Sequence, residues 1–197
     1  FGAEGLVHAL PAACAAGNYA FSFAADLIRS GRADVVVTGA AEVIERLQYA
    51  GFVRLGAMAP ERVQPFDLNR RGLLLGEGAG VLVLESEARL VRRMGVALAE
   101  VGGAGIACDA HHITRPHPEG AGSYVALRDA ILRSGLRPEQ VDHVNAHGTA
   151  TAPQALVARP STEHAVSVLQ RPLLQRANQN DDQPNYPKKM VCKEGRI

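Results

Sequence analysis

Apolar residues along the chain recur at two alternating spacings. Ala16, Tyr19, Ala20, Phe23, Ala24, Leu27 and Ile28 fall on one face of a helix, and Ser30-Gly31 ends the pattern. The run at residues 5–10 before it reads as a strand. Short aliphatic runs at residues 33–39 and 80–85 read as buried strands, and residues 96–106 read as extended with glycine interruptions. Helices are expected at about residues 43–50, 86–94 and 122–134, the last stopped by Gly135. Residues 108–120 form a loop around Pro116 and Pro118. Residues 141–147 read as a strand ending on His147. Unbroken aliphatic strands alternating with helices indicate an α/β protein with a largely parallel sheet.

The pattern breaks near residue 151. Residues 1–151 hold fourteen arginines and no lysine, whereas all three lysines lie in the last ten residues. Nineteen of the twenty glycines precede residue 152, which assigns the turn-rich, closely packed part to the body. One helix is expected in the tail, at about residues 162–170. Beyond it, residues 171–197 carry too little apolar surface to offset the entropy of ordering, so fixed contacts with the body are not expected.

Composition narrows the class. The chain has 197 residues, is 47% hydrophobic and carries a net charge of +1, the profile of a water-soluble protein with no bias toward nucleic acid or an acidic membrane surface. No apolar run approaches the roughly 20 residues that span a bilayer. Cys14, Cys108 and Cys192 are odd in number and lack metal-ligand spacing, which fits a reducing cytoplasm. Phe1 is not an initiator methionine, and the chain reads as an internal piece of something longer.

Candidate chemistry falls at element ends. Cys14 sits at the first turn of the first helix, among Ala12, Ala13, Ala15 and Ala16. The positive end of a helix favours the thiolate, and small neighbours leave an approach open; a buried structural cysteine is the alternative. His147 opens His147-Gly148-Thr149-Ala150-Thr151 at a predicted strand end, where α/β sheets place ligands. Imidazole there can move a proton or donate to developing negative charge, and the two threonine hydroxyls can face one cleft. A histidine capped by its own turn is the alternative. Asp67 with Arg71 reads as a fixed ion pair and Glu77 as a hydrogen-bonded anchor. The glycines of Gly76-Glu77-Gly78-Ala79-Gly80 precede a strand rather than a helix, so they do not form a phosphate loop. Asp109, His111, His112 and His117 lack a second cluster to complete a metal site, and no metal is expected.

Six stretches, in this order, resemble the beta-ketoacyl-acyl-carrier-protein synthase family of thiolase-like condensing enzymes. They are Ala13-Cys14-Ala15-Ala16-Gly17, Ala33 to Ala40, Pro65-Phe66-Asp67 through Arg71-Gly72, Gly76 to Ala79, Asp109 to Thr114, and Asn145 to Thr151. The resemblance covers residues 1–151. It implies a partial thiolase-like fold, a mixed sheet flanked by helices and incomplete at both ends. Residues 1–95 would be the later part of a first half carrying the nucleophile, residues 96–151 the start of a second half, and residues 152–197 a divergent, largely irregular tail.

The resemblance further implies that Cys14 takes an acyl chain as a thioester and that its backbone N–H supplies part of an oxyanion hole. His147 would assist decarboxylation of a malonyl extender, and Thr149 and Thr151 would hold the pantetheine arm. No resident cofactor is implied, since phosphopantetheine arrives on the substrate, an acyl carrier protein. A homodimer paired through residues 5–10 is also implied. The family's later Asn-Asp, Lys-Ser and Gly-His elements have no counterpart after Thr151, where the chain reads Ala152-Pro153-Gln154. Three functions therefore stand: a condensing enzyme with impaired activity in fatty-acid or polyketide synthesis, a partner subunit that binds a carrier, and an inactive truncated or frame-shifted paralogue.

Overall fold

The computed structural model describes residues 2–151, 165–170 and 190–194. Four helices, α1 (Ala16–Arg29), α2 (Arg46–Arg54), α3 (Glu87–Arg92) and α4 (Ala121–Ser134), alternate with β1 (Val35–Glu42), β2 (Gly78–Ser86) and β3 (Ala99–Ile106). Two further strands, β4 (Ala165–Gln170) and β5 (Met190–Glu194), complete one sheet of order β1-β2-β5-β3-β4. None of the described helices is long and apolar enough to cross a membrane.

The expected elements between residues 16 and 134 form where the spacing placed them, but the sheet is built differently. In place of a largely parallel sheet, all four ladders among the described residues are antiparallel; parallel pairing is confined to the single bridge Met58–Leu73. An aliphatic run reports burial on both faces, which is commonest in parallel sheets but does not by itself fix strand direction. Among the described residues, 5–10 and 141–147 join no ladder. Leu6 and Val7 are exposed, because an extended segment without a neighbouring strand has nothing to bury against. The helix expected at residues 162–170 is replaced over residues 165–170 by β4, and β5 lies between β2 and β3. The tail thus does hold fixed contacts, because the open edges of β2 and β3 offer backbone partners that composition cannot reveal. The proline-broken stretch 171–187 lies outside the described residues.

The core sits between α1 and one face of the sheet. Phe21, Ala24, Ala25 and Ile28 of α1 pack with Leu84 and Val101, and Val36, Leu82 and Ala99 border this cluster. Register explains the set: Val36 pairs with Leu84 and Thr38 with Leu82, so these four side chains point to the same face. On β3 a bulge intervenes. Val101 pairs with Leu169, but Gly103, not Gly102, pairs with Val168. The extra residue turns Gly103 and Gly105 away from α1 and toward α4. Their missing side chains let α4 lie directly on the strand: a Cβ on Gly105 would collide with the backbone carbonyl of Ala126, and one on Gly103 with that of Ala130. The Arg29 guanidinium donates to the carbonyls of Val101 (3.2 Å) and Gly102 (3.1 Å), meeting acceptors at the bulge.

Candidate functional site

The chain arrives at α1 through an elbow. A 3-10 turn, Ala13–Ala15, precedes α1, and the Ala15 N–H donates to the Ala12 carbonyl at 3.1 Å. Ala13 has φ 47°, a left-handed conformation that costs an L-residue about 1–2 kcal/mol. Cys14 follows it and is exposed, while Ala15 is buried and fastens the turn. α1 has no acidic residue in its first turn and no side-chain cap, so its positive end is left for whatever binds beside Cys14.

Cys14 opens on a groove of about 480 Å³ between the start of α1 and the adjoining ends of β1 and β2. Gly17, Ala40, Gly78, Ala79 and Gly80 line it, and Glu42 is the only carboxylate among the described lining residues. A Cβ on Gly17 would stand 3.3 Å from the Ala40 Cβ, so glycine there brings α1 close to β1. Gly78 and Gly80, at the start of β2, thus serve as groove wall.

His147, Thr149 and Thr151 lie on a separate loop, which is pinned without belonging to a strand. The Gly72 N–H donates to the carbonyl of Ala150 at 3.0 Å, and Ala150 is fully buried with φ 59°. Gly72 is itself fixed by its neighbour, since Leu73 exchanges backbone hydrogen bonds with Ala57 and Ala59, both 2.8 Å. Pro65 stands 3.5 Å from the position of a Cβ on Gly148. Thr149 and Thr151 bring their hydroxyl oxygens to 3.0 Å, as alternation around Ala150 requires. His147 is half-buried. The structure therefore brings the two threonines together, whereas none of residues 147–151 lines the Cys14 groove.

Other expected groups resolve individually. Glu77 is an anchor: its carboxylate accepts from the Ile44 N–H at 2.9 Å. Asp67 is not paired with Arg71. Its carboxylate accepts from the Asn69 N–H at 2.7 Å, and its carbonyl accepts from the Arg70 guanidinium at 2.6 Å. A local turn bond two residues away outcompetes an ion pair that would have to order a long side chain. Asp109 likewise serves its own loop, accepting from the N–H groups of His111 (3.1 Å) and His117 (2.8 Å). Among the described residues no group of three His, Cys, Asp or Glu side chains could hold a metal.

Sequence reasoning missed Glu85. It is buried at 4% exposure and ion-paired to Arg93 through both carboxylate oxygens, with Arg89 at 3.7 Å. Hydrogen bonding to Glu85 holds the Arg93 guanidinium above the usual arginine range. The available signal was an acidic residue ending an aliphatic run, with arginines four and eight residues on.

Comparison with known proteins extends the picture. Over 159 residues the chain is 42% identical to the mitochondrial 3-oxoacyl-[acyl-carrier-protein] synthase of Arabidopsis thaliana, covering 77% of this chain and 34% of that protein. The solved ishigamide ketosynthase/chain length factor superimposes with a TM-score of 0.67 at 44% identity, covering 71% of this chain and 34% of that one. A type II polyketide acyl-carrier protein in complex with its ketosynthase bound to the hexaketide matches with a TM-score of 0.66 at 31% identity, covering 73% and 37%. The chain thus spans about a third of the length of the relatives it matches. This likeness supports the thiolase-like fold implied by the sequence. The beta-ketoacyl synthase N-terminal domain model matches residues 1–89 and the C-terminal domain model residues 98–155, and the chain belongs to the beta-ketoacyl synthase family.

Proposed function

We propose that this chain carries the acyl-accepting part of a beta-ketoacyl-acyl-carrier-protein synthase, with Cys14 as the nucleophile. One observation carries the reading: an exposed thiol on a strained elbow, at an uncapped helix start, opening on a groove walled by small residues. Backbone strain at a strand-to-helix turn is a recurrent way of presenting a nucleophile. In the proposed reaction the Cys14 thiolate attacks the carbonyl of an acyl thioester. A new bond forms between the Cys14 sulfur and the acyl carbon, the bond from that carbon to the carrier's sulfur breaks, and the carrier's sulfur leaves as thiolate. In the second step malonyl-carrier loses CO₂. The resulting enolate carbon attacks the Cys14 thioester carbonyl, and the Cys14 sulfur leaves as thiolate.

His147 is the proposed donor to the enolate oxygen, and the paired hydroxyls of Thr149 and Thr151 the proposed contacts for the pantetheine arm. The arm comes on an acyl carrier protein, so no resident cofactor is required. A homodimer and a cytoplasmic setting, where Cys14 and Cys108 stay reduced, belong to the same reading. So does the division at residues 1–95, 96–151 and 152–197.

One observation favours a second reading, a carrier-binding member of the family without efficient condensation. The groove at Cys14 includes none of residues 147–151, so the proposed donor and nucleophile do not share a cavity. Removing one oxyanion donor typically costs about 10²–10³ in rate. The two readings separate in one experiment on the wild type and Cys14→Ala. An acyl thioester should label the wild type at Cys14 faster than at Cys108 or Cys192, and malonyl-carrier condensation should be near background in both. Robust product from the wild type, lost in Cys14→Ala, selects the full enzyme. Slow, unselective labelling returns Cys14 to a structural role and defeats the proposal.

A further inference from the structure

We infer that Glu42 selects among the acyl groups offered to Cys14 by the charge at their far end. Neutral and cationic tails are admitted and a terminal carboxylate is turned away; this rests on the acyl-accepting reading above. Register puts the carboxylate in place. Val36 and Leu82 border the core cluster under α1, and Thr38 pairs with Leu82. The same face of β1 continues to Ala40, which meets Gly17 of α1, and then to Glu42, because side chains alternate along a strand. An acidic side chain thus extends a stripe that begins with a core valine. Gly78 stands opposite it on β2 and has no side chain to pair with it.

The charge of Glu42 is not neutralised. No ion pair among the described residues uses it, and Arg46, the nearest basic residue in sequence, does not pair with it. Glu42 is exposed, and it accepts only a long hydrogen bond, from the Gln48 amide at 3.4 Å. The rest of the described groove lining is alanine, glycine, Leu10 and Cys14, so no other side chain there carries a fixed charge. Glu77, adjacent to Gly78, adds negative charge at the same end while accepting from the Ile44 N–H.

The groove therefore has ends of opposite sign. The uncapped start of α1 is positive, and its field fades within the first turn. Negative charge beside the thioester is tolerated, whereas negative charge at the end of a longer tail meets Glu42. Two unit charges about 10 Å apart change a rate by about twofold in water and about fifteenfold at a protein surface, so about fivefold is expected for this exposed carboxylate. Added salt should shrink the effect.

Methanethiosulfonates with pentyl, carboxypentyl and aminopentyl tails test the selection on the full chain without requiring acyl transfer. The thiolate attacks the thiosulfonate sulfur, a disulfide forms and methanesulfinate leaves. Mass spectrometry reads the rate at Cys14 relative to Cys108, which is exposed and does not line the groove. In the wild type the carboxypentyl tail should react at Cys14 about fivefold more slowly than the pentyl tail, and the aminopentyl tail no more slowly than pentyl. Glu42→Gln should bring the three rates within about twofold, and Glu42→Asp, which keeps the charge, should retain the order. Unchanged circular dichroism spectra check the fold. Equal pentyl and carboxypentyl rates in the wild type overturn the inference, as does an order that survives in Glu42→Gln. Octanoyl and suberyl N-acetylcysteamine thioesters then read acylation: octanoyl should label Cys14 faster, and equal labelling by suberyl also overturns the inference. If neither thioester labels Cys14 while the methanethiosulfonate order holds, the acyl-accepting reading falls and the charge selection by Glu42 stands.

Discussion

Replacing Gly105 by alanine tests whether glycine on β3 sets the distance to α4. The added Cβ would collide with the carbonyl oxygen of Ala126 and stand 2.8 Å from the Ala130 nitrogen and 2.9 Å from the Ala126 carbonyl carbon. All three are backbone atoms of a helix, so no rotamer change relieves the contact. Carbon and its neighbours prefer roughly 3.5–4.0 Å, and α4 must therefore retreat by about an ångström. Retreat loosens Ala126 and Ala130, both fully buried. Overpacking of this kind costs about 1–3 kcal/mol, and an obstacle made of backbone puts Gly105→Ala near the top of that range. Reduced freedom of the unfolded chain gives back about 0.5 kcal/mol. The net, near 2.5 kcal/mol, corresponds to a fall in Tm of about 5–10 °C for a chain of this size. Thermal unfolding followed by circular dichroism reads it directly. Gly51→Ala is the control: Gly51 lies in α2 and a Cβ there meets nothing within 4 Å, so stability should rise by up to about 1 kcal/mol. A Gly105→Ala Tm within a degree of wild type would refute the argument that α4 rests on bare backbone.

Three further substitutions probe the elbow and the buried carboxylate. Ala13→Gly removes the left-handed strain and should raise stability by up to about 1 kcal/mol, while the looser turn slows acyl labelling of Cys14; unchanged labelling would separate the strain from the chemistry. Arg93→Gln should lower the urea midpoint because it strips the main partner from buried Glu85, and adding Glu85→Gln should recover part of the loss, whereas additive losses would count against a coupled pair. The raised pKa of Arg93 carries a sign: stability from that shift is fully present below the ordinary arginine range and lost only above it, so the wild-type midpoint should not titrate through this arginine at neutral or mildly alkaline pH.

How much could be read in advance is clearest at particular elements. Helical spacing from Ala16 to Ile28 located α1 almost to the residue, but the core face is turned from the expected stripe: Phe21 and Ala25 join Ala24 and Ile28 in the core, while Tyr19, Ala20, Phe23 and Leu27 are half-buried. The aliphatic runs located β1 and β2 for the same local reason. Cys14 at a helix start, and the threonine pair around Ala150, were legible because they depend on neighbours within a few residues. Strand direction, the insertion of β5 and the fate of residues 5–10 were not legible, because a ladder is decided by which distant backbone edge is available.

By itself, then, the sequence determined the local periodicities, the small-residue setting of Cys14 and the order of motifs that mark the family. Tertiary structure alone decided what those pieces face. The bulge at Gly102 turns Gly103 and Gly105 toward α4. Asp67 prefers its own turn to a pair with Arg71. The Gly72–Ala150 bond ties the threonine loop to the segment that follows Arg71 across nearly eighty residues. Each outcome is a competition between a nearby partner and a distant one, and distance along the chain does not reveal distance in space.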